Sequence, residues 1–246
     1  MGGYVSSIKA WESFYSAWSE LLNQENVTTL HRVEVENFTA VKKFARWDRE
    51  HQVEIIKKAH LIIKQYTEAG VGGAVIQSDF DVAMPDVIKR VFGGAYGWLV
   101  QESLVGVAKW AAENHCKGPI QYVFETGAKG RHQVEHMMPV LYDDLRIRQQ
   151  LRIGGWSFLP KENVKQLQAA DWFAYELYKQ MDNRIVNGPK RPIRKSALDL
   201  FRPGIDKAHY WDKQRLQKWG EKAPRLIRML EDREKALLSI GRKDLI

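Results

Sequence analysis

The 246-residue sequence has a single cysteine and no long hydrophobic run. Because Cys116 has no second thiol to pair with, an internal disulfide and a cysteine-based zinc cluster are excluded. The most apolar stretch, Ile55 to Tyr66, is interrupted by charged residues and falls short of the roughly 18 apolar residues that a membrane span needs. The first nine residues do not show a basic segment followed by an apolar one, as a secretory signal would. We therefore expect a cytoplasmic protein that has no membrane partner and no redox function.

The excess of positive charge lies entirely in the last part of the sequence. Residues 187–246 hold 16 basic and 8 acidic side chains, which accounts for the net charge of +8, and residues 1–186 hold 22 of each sign. The segment 187–192 contains a glycine and two prolines, which break helices and strand ladders. These features predict a boundary after Val186, with a core at 1–186 and a basic helical extension at 187–246. Such an extension is suited to contact nucleic-acid phosphates, and it is equally suited to be a solvated helix face.

Alternating helical and extended patterns predict an α/β or α+β protein, in which helices flank a mixed sheet. The spacing of Trp11, Phe14, Trp18 and Leu21 predicts a helix that follows a short strand at 2–8. Further strands are predicted at 71–77, 120–125 and 155–159, an extended segment at 27–35, and helices at 47–69, 85–92, 96–113, 131–150 and 164–184. Most of the nine tryptophans are predicted to fill the core.

Three acidic residues are candidate ligands. Asp171 falls on the edge of the apolar stripe of the last long helix, where a partly buried carboxylate needs a metal or an arginine as partner. Glu125 ends the clearest strand, at a position where open sheets display functional side chains. Glu34 belongs to a polar cluster that also contains His31. If the three acids converge, they are suited to hold Mg²⁺ or Mn²⁺; otherwise they are a structural salt bridge and solvated surface acids.

A competing motif is His132-Gln133-Val134-Glu135-His136, which fits the H-x-x-E-H pattern of inverted zinc peptidases. On a helix His132 and His136 lie on one face, a spacing that can hold Zn²⁺, and Glu135 is available as a general base. No glutamate motif downstream supplies a third ligand. The alternative for this segment is a solvated helix start.

Several motifs together resemble those of a bacterial domain-of-unknown-function family, the one numbered thirty-eight hundred. The motifs are Gly3-Tyr4-Val5, Trp11-Glu12-Ser13-Phe14 with Trp18, Leu30-His31-Arg32-Val33-Glu34, Tyr122-Val123-Phe124-Glu125-Thr126-Gly127 and Leu167-Gln168-Ala169-Ala170-Asp171. The resemblance extends to about Tyr178, which is some three quarters of the chain, and the last motif is its most specific mark. The basic residues 187–246 lie outside it.

The resemblance implies a ribonuclease H-like fold and a divalent-metal-dependent nuclease or phosphodiesterase. It implies that Glu34, Glu125 and Asp171 are metal ligands for Mg²⁺ or Mn²⁺, and that His31 orients a ligand or transfers a proton. It also implies nucleic acid as a partner, which the basic residues 187–246 would contact. The alternative to a nuclease is a binding module for nucleic acid or protein that has no catalytic activity.

One departure from the family pattern concerns the start of the sequence. Family members begin with a strand that carries Asp or Glu followed by Ser-Gly, and this chain starts after that strand, at Met1-Gly2-Gly3. The resemblance therefore implies that the metal site of this chain lacks one ligand. It also implies an exposed sheet edge, low stability and weak catalysis in the 246-residue form.

Overall fold

The computed structural model describes residues 1–188 and 191–222, together with seven further positions: Pro224, Ile227, Arg228, Glu231, Asp232, Lys235 and Ser239. Its strands are β1 Gly2–Val5, β2 Ala69–Val75, β3 Ile120–Glu125, β4 Ile153–Leu159 and β5 Lys207–Trp211. Its α-helices are α1 Ile8–Gln24, α2 Arg32–Glu36, α3 Arg49–Tyr66, α4 Gln77–Ala83, α5 Asp86–Val91, α6 Ala95–Glu113, α7 Arg131–Asp143, α8 Leu145–Gln150, α9 Lys165–Asn187, α10 Lys195–Leu200 and α11 Lys213–Lys222. Two short 3₁₀ turns, Phe38–Ala40 and Lys42–Phe44, separate α2 from α3.

The five strands form two small sheets. In the first sheet β2 lies in the centre, antiparallel to β1 and parallel to β5. The second sheet consists of β3 and β4, which run parallel to each other. Within the described residues, the outer edges of β1 and β3 pair with no other strand. The predicted class is confirmed at this level, because the protein combines many helices with a small mixed sheet.

Helices cover both faces of the first sheet. Side chains alternate between the two faces of a strand, so neighbouring residues of β5 enter different cores. Tyr210 packs against the core formed by α1, α3 and α9, and Trp211 packs against the core formed around α6 and α7. Trp18, Trp98 and Trp172 are fully buried, which confirms that these tryptophans fill the core.

Close contact between α9 and the first sheet depends on glycine. A Cβ atom on Gly70 of β2 would lie 2.8 Å from Cε2 of Phe173, and one on Gly2 of β1 would lie 2.7 Å from Cδ1 of the same ring. Real Cβ atoms are not found so close to another heavy atom. The glycines therefore let α9 approach both strands, and this approach fixes the position of the helix that carries Asp171.

The residues beyond the predicted boundary at Val186 pack into the same cores, in contrast to the separate, helical extension that was expected. α9 continues to Asn187, and β5 adds a strand to the first sheet through its pairing with β2. Leu200 and Leu216 are fully buried, the first in the core with α9 and the second in the core with α6. The charge count did not predict this packing, because apolar side chains such as Leu200 and Leu216 lie among the basic residues of the same segment. Most of the predicted extension after residue 222 lies outside the described residues.

Two other predictions differ from the structure. The segment predicted to be extended at 27–35 contains the short helix α2, and the single helix predicted at 131–150 is divided into α7 and α8. The division falls at Asp144, whose side chain accepts hydrogen bonds from the amides of Arg146 and Ile147 and so starts a second helix. No helix among the described residues is both long and apolar enough to cross a membrane.

Candidate functional site

Gln168 on α9 connects the segments that hold the predicted acids. Its Oε1 accepts hydrogen bonds from Nε1 of Trp18 on α1 and from the amide of Leu30, both at 3.0 Å. Its Nε2 donates to the carbonyl oxygen of Lys161 at 3.2 Å. The Gln168 side chain is fully buried, so these bonds are shielded from water. One amide therefore positions the start of α2 and the loop after β4 relative to α9.

Two of the three predicted acids meet at a lysine. The ammonium Nζ of Lys161 lies 2.9 Å from Oε1 of Glu125 at the end of β3 and 3.7 Å from Oδ1 of Asp171 on α9. The three side chains are partly buried, with 17% of Lys161, 30% of Glu125 and 26% of Asp171 exposed. We call this group the Lys161 cluster. It holds two carboxylates and one cation at the carboxyl end of β3.

The charges of the cluster stabilise the protonated form of Lys161. Burial by itself would lower the pKa of this ammonium, but the hydrogen bond to Glu125 and the negative charges of Asp171, Glu125 and Glu162 outweigh burial and raise the pKa. Lys161 therefore carries its positive charge throughout the physiological pH range, and it neutralises one of the two carboxylates.

The second oxygen of Asp171 is held by the backbone of α2. The amide of Arg32, the first residue of that helix, donates to Oδ2 of Asp171 at 2.9 Å. His31 precedes the helix and its side chain does not cap it, so Asp171 supplies the acceptor from a distant part of the chain. The predicted partial burial of Asp171 is confirmed. Its partners are a lysine and a main-chain amide, where the sequence predicted a metal or an arginine side chain.

Glu34 lies in a different ion pair. Its Oε2 is 2.5 Å from Nζ of Lys43, which also donates to the carbonyl and hydroxyl oxygens of Thr29. No group of three or more histidine, cysteine, aspartate or glutamate side chains among the described residues is arranged to hold a metal ion. Glu34 therefore does not form a three-acid group with Glu125 and Asp171. His31 lies beside Arg32, half-buried, and no hydrogen bond or ion pair of its side chain occurs in the described part of the chain.

The histidines of the alternative zinc motif lie on a solvent-exposed face of α7. His132 and His136 are both exposed, and Glu135 forms an ion pair with Nε of Arg131 at 2.7 Å. No third side chain joins the two histidines in a metal-holding group within the described residues. The contacts of this motif are those of a solvated helix start.

Behind the cluster lies a buried ion network that includes Arg32. The Arg32 guanidinium is 1% exposed and contacts Glu176 of α9 at 3.1 Å and Glu36 of α2 at 2.7 Å. It also lies over the rings of Trp172 and Tyr175, at 5.3 and 4.8 Å from the ring centroids. The network fixes α2 on α9, so it fixes the amide that binds Asp171.

The same network extends to the segment before α10. Arg194 lies 3.6 Å from Glu36 and 3.7 Å from Glu176, and the hydroxyl of Ser196 donates to Glu176 at 2.9 Å. Two arginines thus face two glutamates, one of which is fully buried. α2, α9 and α10 are joined through this set of charges.

Sequence reasoning missed Lys161, although a signal for it exists. Lys161 follows β4 by two residues, and β3 and β4 are parallel, so their carboxyl ends meet at one edge of the sheet. Comparisons with models of known families, with curated proteins and with solved structures find no match to this chain. The functional interpretation therefore rests on the geometry of the Lys161 cluster.

Replacing Gln168 with leucine is expected to lower the free energy of unfolding by about 2–4 kcal/mol, because two buried donors would lose their acceptor. These donors are Nε1 of Trp18 and the amide of Leu30. Urea titration of the full chain measures the loss. The matched control is Gln166→Leu on the same helix, which removes one longer, partly buried bond to the Trp11 carbonyl. Equal losses in the two variants would contradict the role assigned to Gln168.

Proposed function

We propose that the protein has a ribonuclease H-like fold and is a divalent-metal-dependent phosphodiesterase acting on nucleic acid. The observation that carries this proposal is the convergence of Glu125 and Asp171 on a single cation, the ammonium of Lys161. The proposal agrees with the motifs that resemble the family numbered thirty-eight hundred. In this proposal Glu125 and Asp171 are the ligands for Mg²⁺ or Mn²⁺.

The donors present fit such an ion. Mg²⁺ in proteins is commonly bound by one or two carboxylates, and waters and substrate phosphates supply the remaining oxygens. Glu125 and Asp171 provide two carboxylates from separate segments, and both already face a positive charge. When bound, the ion would neutralise negative charge on the oxygen atoms of a phosphodiester. Glu34 is a less suitable ligand, because Lys43 occupies its carboxylate.

The residues of the chain have separate tasks in this proposal. The Arg32 amide and the Gln168 side chain hold Asp171 and the Lys161 loop in position. Lys161 competes with a divalent ion for the same two carboxylates, so it sets the metal affinity of the cluster. In this proposal His31 transfers a proton at one of its ring nitrogen atoms.

The test is cleavage of labelled single- and double-stranded DNA and RNA by the full chain with Mg²⁺ or Mn²⁺. Asp171→Asn and Glu125→Gln are each expected to reduce the cleavage rate by about a hundredfold or more, because each removes a charged ligand. Glu34→Gln is expected to have a much smaller effect. Asp182→Asn on the same helix as Asp171 is the matched control. Cleavage that survives both ligand substitutions would contradict the proposed site.

Binding of the metal can be measured without activity. Titration of the chain with Mn²⁺, followed by its paramagnetic signal, should show a site that is lost in Asp171→Asn. Lys161→Met is expected to tighten Mn²⁺ binding by about tenfold, because it removes the competing cation. Unchanged affinity in Lys161→Met would show that the ion binds elsewhere.

A second candidate function is nucleic-acid binding without catalysis. The observation that favours it is that Lys161 already balances part of the negative charge of the cluster, and no three-acid group is present among the described residues.

The test uses point substitutions, because deleting residues 187–246 would also remove β5 from the first sheet. A loss of binding in such a deletion could not be separated from a loss of folding. Replacing the exposed Lys195, Lys213 and Lys218 with glutamine instead should weaken nucleic-acid binding and flatten its salt dependence. Binding with no cleavage in any metal would favour this candidate.

A further inference from the structure

An exposed aromatic side chain lies on the same face of α9 as Asp171. Tyr178 follows Asp171 by seven positions, and two turns of an α-helix take about seven residues, so both side chains leave the helix in nearly the same direction. The rise between the two positions is about 10 Å. Tyr178 is 60% exposed, whereas Trp172 and Phe173 of the same helix are fully buried. The Tyr178 ring is therefore open to solvent on the face that carries one acid of the Lys161 cluster.

The neighbouring tyrosine on this face is already covered. The Arg32 guanidinium lies 4.8 Å from the centroid of the Tyr175 ring, and the Tyr175 hydroxyl is buried. In contrast, the Tyr178 ring contacts no other aromatic ring in the described part of the chain, and its hydroxyl forms no hydrogen bond there. Tyr178 thus keeps a ring face free for a partner from outside the chain.

A positive charge lies next to this ring. Nζ of Lys179 is 5.6 Å from the centroid of the Tyr178 ring. Lys179 forms no ion pair with another described residue, so its charge is available to an anion from solution. Asp182 brings a negative charge one turn beyond Tyr178, so we expect a phosphate on the Lys179 side of the ring. An exposed aromatic ring beside a free cation is the combination that binds the bases and phosphates of single strands.

We infer that Tyr178 stacks an unpaired base of a single-stranded nucleic acid and thereby sets the substrate class of the Lys161 cluster. This role in cleavage rests on the proposed function, because the stacked base would lie beside the bond that Glu125, Asp171 and their metal ion attack. In a duplex the bases are paired and stacked on each other, so the ring cannot reach a base face without unstacking it. The rise of about 10 Å from Asp171 is a distance that a short stretch of single strand spans.

The experiment measures the affinity of the full chain for labelled single-stranded DNA and RNA oligonucleotides by fluorescence anisotropy, in EDTA so that no cleavage occurs. Tyr178→Ala is expected to weaken binding by about tenfold, because stacking on the ring is lost. Tyr178→Phe keeps the ring and should bind like the natural chain. Binding of the corresponding duplexes should change by less than about twofold in both variants.

The matched control is Tyr15→Ala on α1. The Tyr15 side chain is 46% exposed, and Nζ of Lys165 lies 4.1 Å from the centroid of its ring. Affinity for single strands should not change in this variant. Equal weakening by Tyr178→Ala and Tyr15→Ala, or by Tyr178→Ala and Tyr178→Phe, would overturn the stacking role.

Cleavage of bis(p-nitrophenyl) phosphate with Mn²⁺ separates this role from the proposed function. Because this diester has no nucleotide strand, Tyr178→Ala should leave its cleavage rate unchanged and raise the KM for a single-stranded oligonucleotide by about tenfold. If the diester is cleaved and Tyr178→Ala binds oligonucleotides like the natural chain, the role of Tyr178 is overturned and the metal site stands. If neither substrate is cleaved and Tyr178→Ala still loses binding, the stacking contact is supported and the phosphodiesterase is contradicted.

A second copy of the chain is the alternative occupant of this face. Ile185, two turns beyond Tyr178, is 56% exposed, so the face also offers apolar surface to a protein. Analytical ultracentrifugation of the natural chain and Tyr178→Ala tests this alternative. A dimer that Tyr178→Ala converts to a monomer, with oligonucleotide affinity unchanged, would assign the face to contact between copies and overturn the stacking role.

Discussion

Replacing Arg32 with methionine is expected to lower the free energy of unfolding by about 3–5 kcal/mol. The reason is that Glu176, which is fully buried, would lose the guanidinium that lies 3.1 Å from it. Arg194, at 3.7 Å, and the Ser196 hydroxyl would remain beside the carboxylate. A buried carboxylate that loses its nearest cation is nevertheless costly, because no water replaces the lost contact. The substitution would also remove the stacking of the guanidinium over Trp172 and Tyr175.

Urea unfolding of the full chain, followed by tryptophan fluorescence, measures this loss. A double variant, Arg32→Met with Glu176→Leu, should lose less stability than the sum of the two single variants, because it leaves no lone charge. The control is Arg131→Met, whose partner Glu135 is 42% exposed, and we expect a change of at most about 0.5 kcal/mol there. A loss in Arg32→Met no larger than that of the control would show that the network does not stabilise the fold.

Acid is expected to destabilise the protein through His60. This histidine of α3 is 4% exposed, lies 5.6 Å from the Trp172 ring, and has its pKa lowered to about 3 by burial and by the charges of Arg32 and Lys64. In the unfolded chain its pKa returns to about 6.5. Between these values the unfolded state binds more protons than the folded state, so stability falls as the pH falls from 6.5 towards 3. The slope is about 1.4 kcal/mol per pH unit.

The contribution of His60 is isolated by comparison with His60→Phe. Glu102 acts in the opposite direction, because its raised folded pKa makes the fold more stable as the pH falls from about 7 to its ordinary value of 4.5. That effect is the same in both proteins, so the difference between their stability curves reports His60. We expect the phenylalanine variant to retain stability at pH 5 that the natural chain loses. The control is His132→Gln, at an exposed position of α7. Parallel stability curves for the natural chain and His60→Phe would contradict the prediction.

Much of the fold was predictable from local patterns. The strand at 120–125 and the long helices followed from runs and spacings of apolar residues, because these elements bury a continuous face. α2 was not predictable in this way. Its residues are β-branched or polar, and the helix starts where the carboxylate of Asp171 accepts the first amide from a distant part of the chain. The sequence of residues 27–35 gives no indication of this contact with Asp171.

The candidate site was predictable in part. Asp171 and Glu125 were found because one lies at the edge of an apolar helix stripe and the other ends a strand, and both positions follow from local periodicity. Glu34 was grouped with them because it lies in a polar cluster with His31 and matches a family motif, but Lys43 binds its carboxylate in the structure. The Lys161 ammonium that joins the other two acids depends on the pairing of β3 with β4, which local periodicity does not encode. The resemblance to a metal-dependent nuclease family remains a prediction.

The pairing of β5 with β2 has a consequence for how the chain is made. Val71 pairs with Lys207, so the two partners are separated by 136 positions along the sequence. A ribosome that has released β2 must add all of these residues before the first sheet gains its third strand. Because long-range pairing is slow and leaves apolar surface uncovered, we expect the nascent chain to depend on chaperones until β5 emerges.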